Sequence, residues 1–141
     1  MGKKFRIGYT MGVFDLFHIG HLNIIKNAKS LCDYLVVGVT TDERTKKIKG
    51  NLPIIPFEER LKIIESLKYV DRVVPKSSSD IKEDWNQIKF DLFVKGSDWE
   101  GTPKGKALEA ELAKLGVKVE YFPYTKETSS SILKKAISKL Q

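Results

Sequence analysis

Five short runs dominated by β-branched and aromatic residues alternate with amphipathic stretches along the 141-residue chain. The runs are Phe5 to Thr10, Tyr34 to Thr41, Arg72 to Val74, Asp91 to Val94 and Val117 to Phe122. Apolar residues recur at helical spacing over Ile19 to Leu31, Pro56 to Leu67, Ile81 to Lys89, Lys104 to Leu115 and Ser129 to Leu140. Parallel neighbours in a sheet need a long crossover, usually a helix, so this alternation predicts strand-helix-strand units and a parallel sheet covered on both faces. With no repeat and no linker, residues 1–141 read as one α/β domain.

The boundaries carry matching chemistry. Pro56 followed by Glu58 and Glu59 suits a first helical turn, Gly116 after Leu115 suits a C-cap, and a serine among Ser129 to Ser131 suits an N-cap. The expected architecture is a Rossmann-like doubly wound parallel sheet of five strands with flanking helices. Such sheets bind ligands beyond the carboxyl ends of their strands, where the strand order reverses. The segments after the strands, Thr10 to His21, Gly38 to Asp42, Gly96 to Glu100 and Pro123 to Ser131, should therefore converge on one crevice.

The first of these segments reads Thr10-Met11-Gly12-Val13-Phe14-Asp15-Leu16-Phe17-His18-Ile19-Gly20-His21. Two histidines three residues apart stand where a strand gives way to a helix. The N–H groups of a first helical turn lack intrahelical partners and the helix dipole is positive there, so the position favours an anion such as phosphate. His18 and His21 can add donors, Gly20 leaves room for a phosphate, and Gly12 permits a tight turn out of the strand. Two other readings of the pair are a plain helix cap and a zinc site; the latter needs third and fourth ligands that the spacing does not supply.

A formal charge of +7 asks for an anionic partner, with nucleotide phosphates, nucleic acid and acidic surfaces all open. No interleaved aromatic and basic stripe points to nucleic acid. With 41% hydrophobic residues, no apolar run of membrane-spanning length and no signal-peptide pattern after Met1, the expectation is a cytoplasmic protein that does not use a membrane. Cys32, the single cysteine, sits at the end of an apolar helix face and reads as a small buried hydrophobe.

The pattern Gly-x-Phe-Asp-x-x-His-x-Gly-His in Gly12 to His21 resembles the HxGH nucleotidyltransferases, and among them the cytidylyltransferases. Similarity to the small bacterial glycerol-3-phosphate cytidylyltransferases continues through Asp33 to Glu43, Tyr69-Val70-Asp71 and Gly96-Ser97-Asp98-Trp99-Glu100-Gly101. The resemblance implies transfer of a nucleotidyl group from CTP to a small phosphorylated alcohol, with Mg2+ accompanying the triphosphate, in a homodimer. His18 and His21 would stabilise charge on the triphosphate. Lys46-Lys47-Ile48-Lys49-Gly50 resembles a lysine loop that closes over it, with Lys47 and Lys49 holding the reacting phosphates; a solvated lysine face is the other reading.

Arg60 matches an active-site arginine able to grip a phosphate bidentately, against an ordinary helical pair with a glutamate. Asp15 would face the acceptor, and a purely structural Asp15 would need a backbone clamp. Thr10, Gly12, Phe14 and Gly20 fall in the nucleotide-binding block. Gly96, Asp98 and Trp99 resemble the GxDW loop, with Asp98 near the ribose and backbone groups reading cytosine. Asp71 reads as packing or a dimer contact, and Trp85 as helix packing.

Near the C-terminus the chain departs from the family pattern Arg-Thr-x-Gly-Ile-Ser-Thr-Thr. Here Tyr124 and Glu127 replace the arginine and the glycine, Lys126 offers a cation from another position, and Ser129, Ser130 and Ser131 keep the hydroxyls as phosphate contacts. The departure bears on the acceptor more than on the reaction. It leaves room for another polyol or amino-alcohol phosphate, for adenylyl transfer, and for a silent nucleotide-binding regulator.

Overall fold

The computed structural model describes residues 5–123 and 130–140. Their order is β1 (Phe5–Gly12), α1 (Ile19–Leu31), β2 (Cys32–Thr40), α2 (Asp42–Lys49), α3 (Phe57–Glu65), β3 (Arg72–Lys76), α4 (Ile81–Ile88), β4 (Leu92–Gly96), a 3-10 turn (Ser97–Trp99), α5 (Pro103–Ala113), β5 (Lys118–Phe122) and α6 (Ser130–Leu140). The five strands form one sheet in the order β3-β2-β1-β4-β5, and every pairing is parallel. This is the doubly wound architecture expected from the alternation.

The strand period of two divides the core. Leu35, Val37 and Val39 of β2 face Ile25 and Ala28 of α1 and Ile64 of α3. Val36 faces the other way, joining Tyr9 with Ile81 and Ile88 of α4 and Leu112 of α5. Asp71 closes the first layer: its carboxylate accepts from Lys29 Nζ and from the Leu35 N–H, both at 2.7 Å. Trp85 packs in the second layer and donates its indole N–H to the Phe90 carbonyl at 3.1 Å. No helix among the described residues is long and apolar enough to cross a membrane.

Two boundaries differ from the sequence reading in an instructive way. Cys32 does not end α1 but begins β2, and it is fully buried. Lys46 to Gly50, expected as a loop, instead form the end of α2 (Asp42–Lys49) and its C-cap. Only Ile48 in that stretch is strongly apolar, so hydrophobic periodicity gives no signal. The end chemistry does: Thr41 caps the helix by accepting from the Arg44 N–H at 3.2 Å, Asp42 and Glu43 occupy the positive end, and three lysines occupy the negative end. Gly50 then stops it with φ at 83°. At α5, Gly116 does what its position suggested, with φ at 79° and Val117 N–H bonding back to the Leu112 carbonyl at 3.0 Å.

The order in which strands are added reverses between β1 and β4. Their register runs Gly8↔Leu92 and Tyr9↔Phe93. Beyond it, the Thr10 hydroxyl donates to the Val94 carbonyl at 2.9 Å. The strands part there, at the switch point of the fold.

Candidate active site

The two histidines occupy the N-terminus of α1. His18 is the N-cap: its Nδ1 accepts the Gly20 N–H at 3.1 Å, while His21 Nδ1 accepts the His18 N–H at 3.3 Å. The helix-cap reading is met, and the cap uses the Gly20 N–H, a first-turn group expected to face a phosphate. With Nδ1 of each ring accepting a backbone N–H, each neutral imidazole carries its proton on Nε2, the donor left to offer a ligand. The rings stack with centroids 3.8 Å apart. Phe14 and Phe17 enclose His21, at 5.4 Å edge-on and 5.5 Å tilted.

That enclosure sets the protonation. Burial lowers the His18 pKa. For His21, burial foremost, then the charges of His18 and Lys49, bring the pKa down to about 4 against an opposing pull from Asp15. Both rings are neutral donors at neutral pH. Between pH 4 and the ordinary value of 6.5, the unfolded chain holds more protons than the fold at His21, so this contribution to stability is complete above about 6.5 and lost toward 4. Asp15 and Asp71, whose pKa values are lowered, act only below 3.8. Thermal midpoints recorded from about pH 7.5 down to about 4.5 should fall, and His21→Asn should flatten that slope.

The turn between β1 and α1 is strained at Phe14 and Leu16, with φ at 54° and 51°; these bulky residues rarely adopt such values. The conformational freedom expected of Gly12 is not what the turn uses. Gly12 instead supplies space, since a Cβ there would stand 3.1 Å from the Phe14 ring. Phe14 itself is buried behind His21, and Thr10 is buried on Val94, so both support the imidazoles from within the core.

Asp15 has the backbone clamp. It is 2% exposed; its Oδ1 accepts the Ile55 N–H at 2.9 Å and its Oδ2 the Ile54 N–H at 2.8 Å. Lys134 of α6 adds an ion pair at 3.0 Å. Burial would raise the carboxyl pKa, but the two N–H groups and Lys134 hold it below the usual range. Asp15 thus fastens the segment before α3, and α6, to the histidine turn.

Arg60 departs furthest from expectation. Its side chain is wholly buried. Nε donates to the Ile55 carbonyl at 2.8 Å, Nη1 to the carbonyls of Val13 and Thr40 at 2.7 Å each, and Nη2 to Asp42 Oδ1 at 2.6 Å. Four of five guanidinium donors are thereby used on protein, so a bidentate phosphate grip is corrected to a staple. The arginine ties the histidine turn, the end of β2, the root of α2 and the start of α3 together.

Among the described residues, Lys49 acts on His21, and Lys134 pairs with Asp15. Lys49 lies within electrostatic reach of His21, Asp15 and Lys134; its pKa is lowered by burial first and then by Lys134. Lys47, two residues earlier on α2, is turned about 200° from Lys49, so the expected pair does not share a face. Lys134 was not anticipated, and nothing local distinguishes it from its neighbour Lys135; only the fold brings it to Asp15.

Gly96 is buried at the end of β4, and Asp98 is exposed in the turn that follows. Trp99 is half-buried, with Lys95 Nζ over its ring at 4.1 Å. Its carbonyl accepts from the Thr102 N–H at 3.1 Å and hydroxyl at 2.6 Å. A Cβ at Gly105 would overlap that carbonyl oxygen. Gly105→Ala should therefore push the turn off α5 and lower stability by about 1–3 kcal/mol, read by thermal denaturation. Ser130 and Ser131 begin α6; their side chains, and Tyr124, Lys126, Glu127 and Ser129, lie outside the described residues.

Sheet order and site together define a doubly wound α/β protein with an imidazole pair capping its first helix beside the switch point. The sequence model of the family described as Cytidylyltransferase-like matches residues 9–136, and the chain belongs to that family. It is 37% identical over 132 residues to a glycerol-3-phosphate cytidylyltransferase of Bacillus subtilis, covering 93% of this chain and 96% of that protein. It is also 36% identical over 132 residues to an FAD synthase of Pyrococcus abyssi, covering 92% and 88%. Among solved structures it is similar to a lipopolysaccharide core biosynthesis protein from Thermoplasma volcanium, with a TM-score of 0.71, 31% identity, and coverage of 88% and 99%.

Proposed function

We propose that this protein transfers a cytidylyl group from CTP to a small phosphorylated alcohol, with glycerol 3-phosphate as the leading acceptor. The observation that carries this reading is the neutral imidazole pair at the N-terminus of α1. An acceptor phosphate oxygen attacks the α-phosphorus of CTP; that P–O bond forms as the bond to the β-phosphate bridging oxygen breaks, and pyrophosphate leaves. Neutral Nε2–H donors and the first-turn N–H groups stabilise the charge that develops without repelling an approaching cation. Lys49 adds positive charge, and Asp15 and Arg60 hold the walls of the crevice. The charge of +7 serves these phosphates rather than nucleic acid.

Among the described residues, no three His, Cys, Asp or Glu side chains group as a metal cage. In this reading Mg2+ would accompany the triphosphate, where it would neutralise phosphate charge. Similarity to the B. subtilis enzyme favours glycerol 3-phosphate as acceptor, and a homodimer, implied by the family resemblance alone, is the working form in this reading. Adenylyl transfer stands second, because a relative named FAD synthase is nearly as similar and FAD contains an adenine nucleotide.

Pyrophosphate release, with Mg2+ and CTP or ATP crossed against glycerol 3-phosphate, ribitol 5-phosphate, phosphocholine and phosphoethanolamine, tests the reading. Release with CTP and glycerol 3-phosphate alone is expected. Release only with ATP, or none with any pair, overturns it.

A further inference from the structure

On the face of the sheet opposite α1, three polar side chains from separate elements meet in the core. Tyr9 of β1 donates its hydroxyl to Asp84 Oδ2 at 3.2 Å. Lys76, the last residue of β3, forms an ion pair with the same carboxylate oxygen. Tyr9 is 0%, Lys76 5% and Asp84 9% exposed. A buried ion pair of this kind is weak evidence for stability, since apolar side chains of similar volume commonly do as well or better.

What the group joins is more telling. β1 and β3 are not neighbours; β2 lies between them. The bridge crosses beneath β2 at Gly38, where a Cβ would run into the Tyr9 hydroxyl. At one end, Tyr9 immediately precedes Thr10 and the histidine turn. At the other, the Lys76 carbonyl accepts the N–H of Thr41 at 3.1 Å, and Thr41 caps α2, the helix that carries Lys49.

We propose that Tyr9, Asp84 and Lys76 form a positioning bridge that sets the spacing between the α1 histidines and the Lys49 helix. All three are buried, and they act through the elements they join. The catalytic consequence rests on the reading under Proposed function, whereas the spacing itself does not.

The test compares the parent with Tyr9→Phe and with the apolar triple variant Tyr9→Phe/Lys76→Met/Asp84→Leu. Two quantities are read: ring NMR titration of His21 in the unliganded protein, and steady-state pyrophosphate release. Lys49 helps to lower the His21 pKa, so relaxing the spacing should move that titration upward. In the triple variant, kcat should fall on the order of tenfold or more while KM for CTP stays within about threefold, because misplacement by about an ångström suffices for such losses. Tyr9→Phe, which removes one hydroxyl, should shift both in the same direction by less; it decides the matter if the triple variant does not fold. A folded variant with the parental His21 titration overturns the bridge. A parent that releases no pyrophosphate overturns the catalytic reading instead and leaves the titration to judge the bridge.

Discussion

His18→Ala is expected to lower kcat for pyrophosphate release by about 10²–10³-fold, the usual cost of removing one preorganised donor aimed at developing charge. Because His18 is also the N-cap of α1, alanine should in addition cost about 1 kcal/mol of stability. His18→Asn separates the two roles. Asparagine is among the best N-caps, so the thermal midpoint should recover while kcat stays low. If kcat recovered with the cap, His18 would be a helix cap and the donor role would be withdrawn.

Arg60→Ala should have the largest effect on stability. It would strand the carbonyls of Ile55, Val13 and Thr40 and leave Asp42 Oδ1 without its ion-pair partner, Oδ2 keeping the Phe57 N–H. Removing one member of such a buried set costs on the order of 3–5 kcal/mol, or roughly 10–17 °C in thermal midpoint for a chain of this size. Arg60→Lys should recover little, because a single ammonium cannot reproduce a planar fork serving several acceptors. A variant that kept the parental midpoint but raised KM for CTP would restore the phosphate-grip reading.

Much of this molecule is legible from local pattern. The β-branched runs became the five strands, and the histidine-bearing stretch became the start of α1, because strand and helix periods are written over neighbouring residues. Even α2, missed by hydrophobic period, is spelled out by its ends, from Thr41 through the acidic first turn to Gly50. The condition for a structural Asp15 was also readable: a buried carboxylate requires partners.

The identity of those partners was not readable. Ile54 and Ile55 lie 39 and 40 residues from Asp15, and Lys134 reaches it from the last helix. Arg60 takes its acceptors from positions 5, 18, 20 and 47 residues away. Local pattern carries the alternation of elements, the parallel sheet and the two histidines that stand where its first strand gives way to α1. Which charged side chains lie beside the histidines and which are consumed inside the protein is settled only in three dimensions. A guanidinium or carboxylate binds whatever polar groups surround it, and those groups are assembled by distant segments whose meeting no local period encodes.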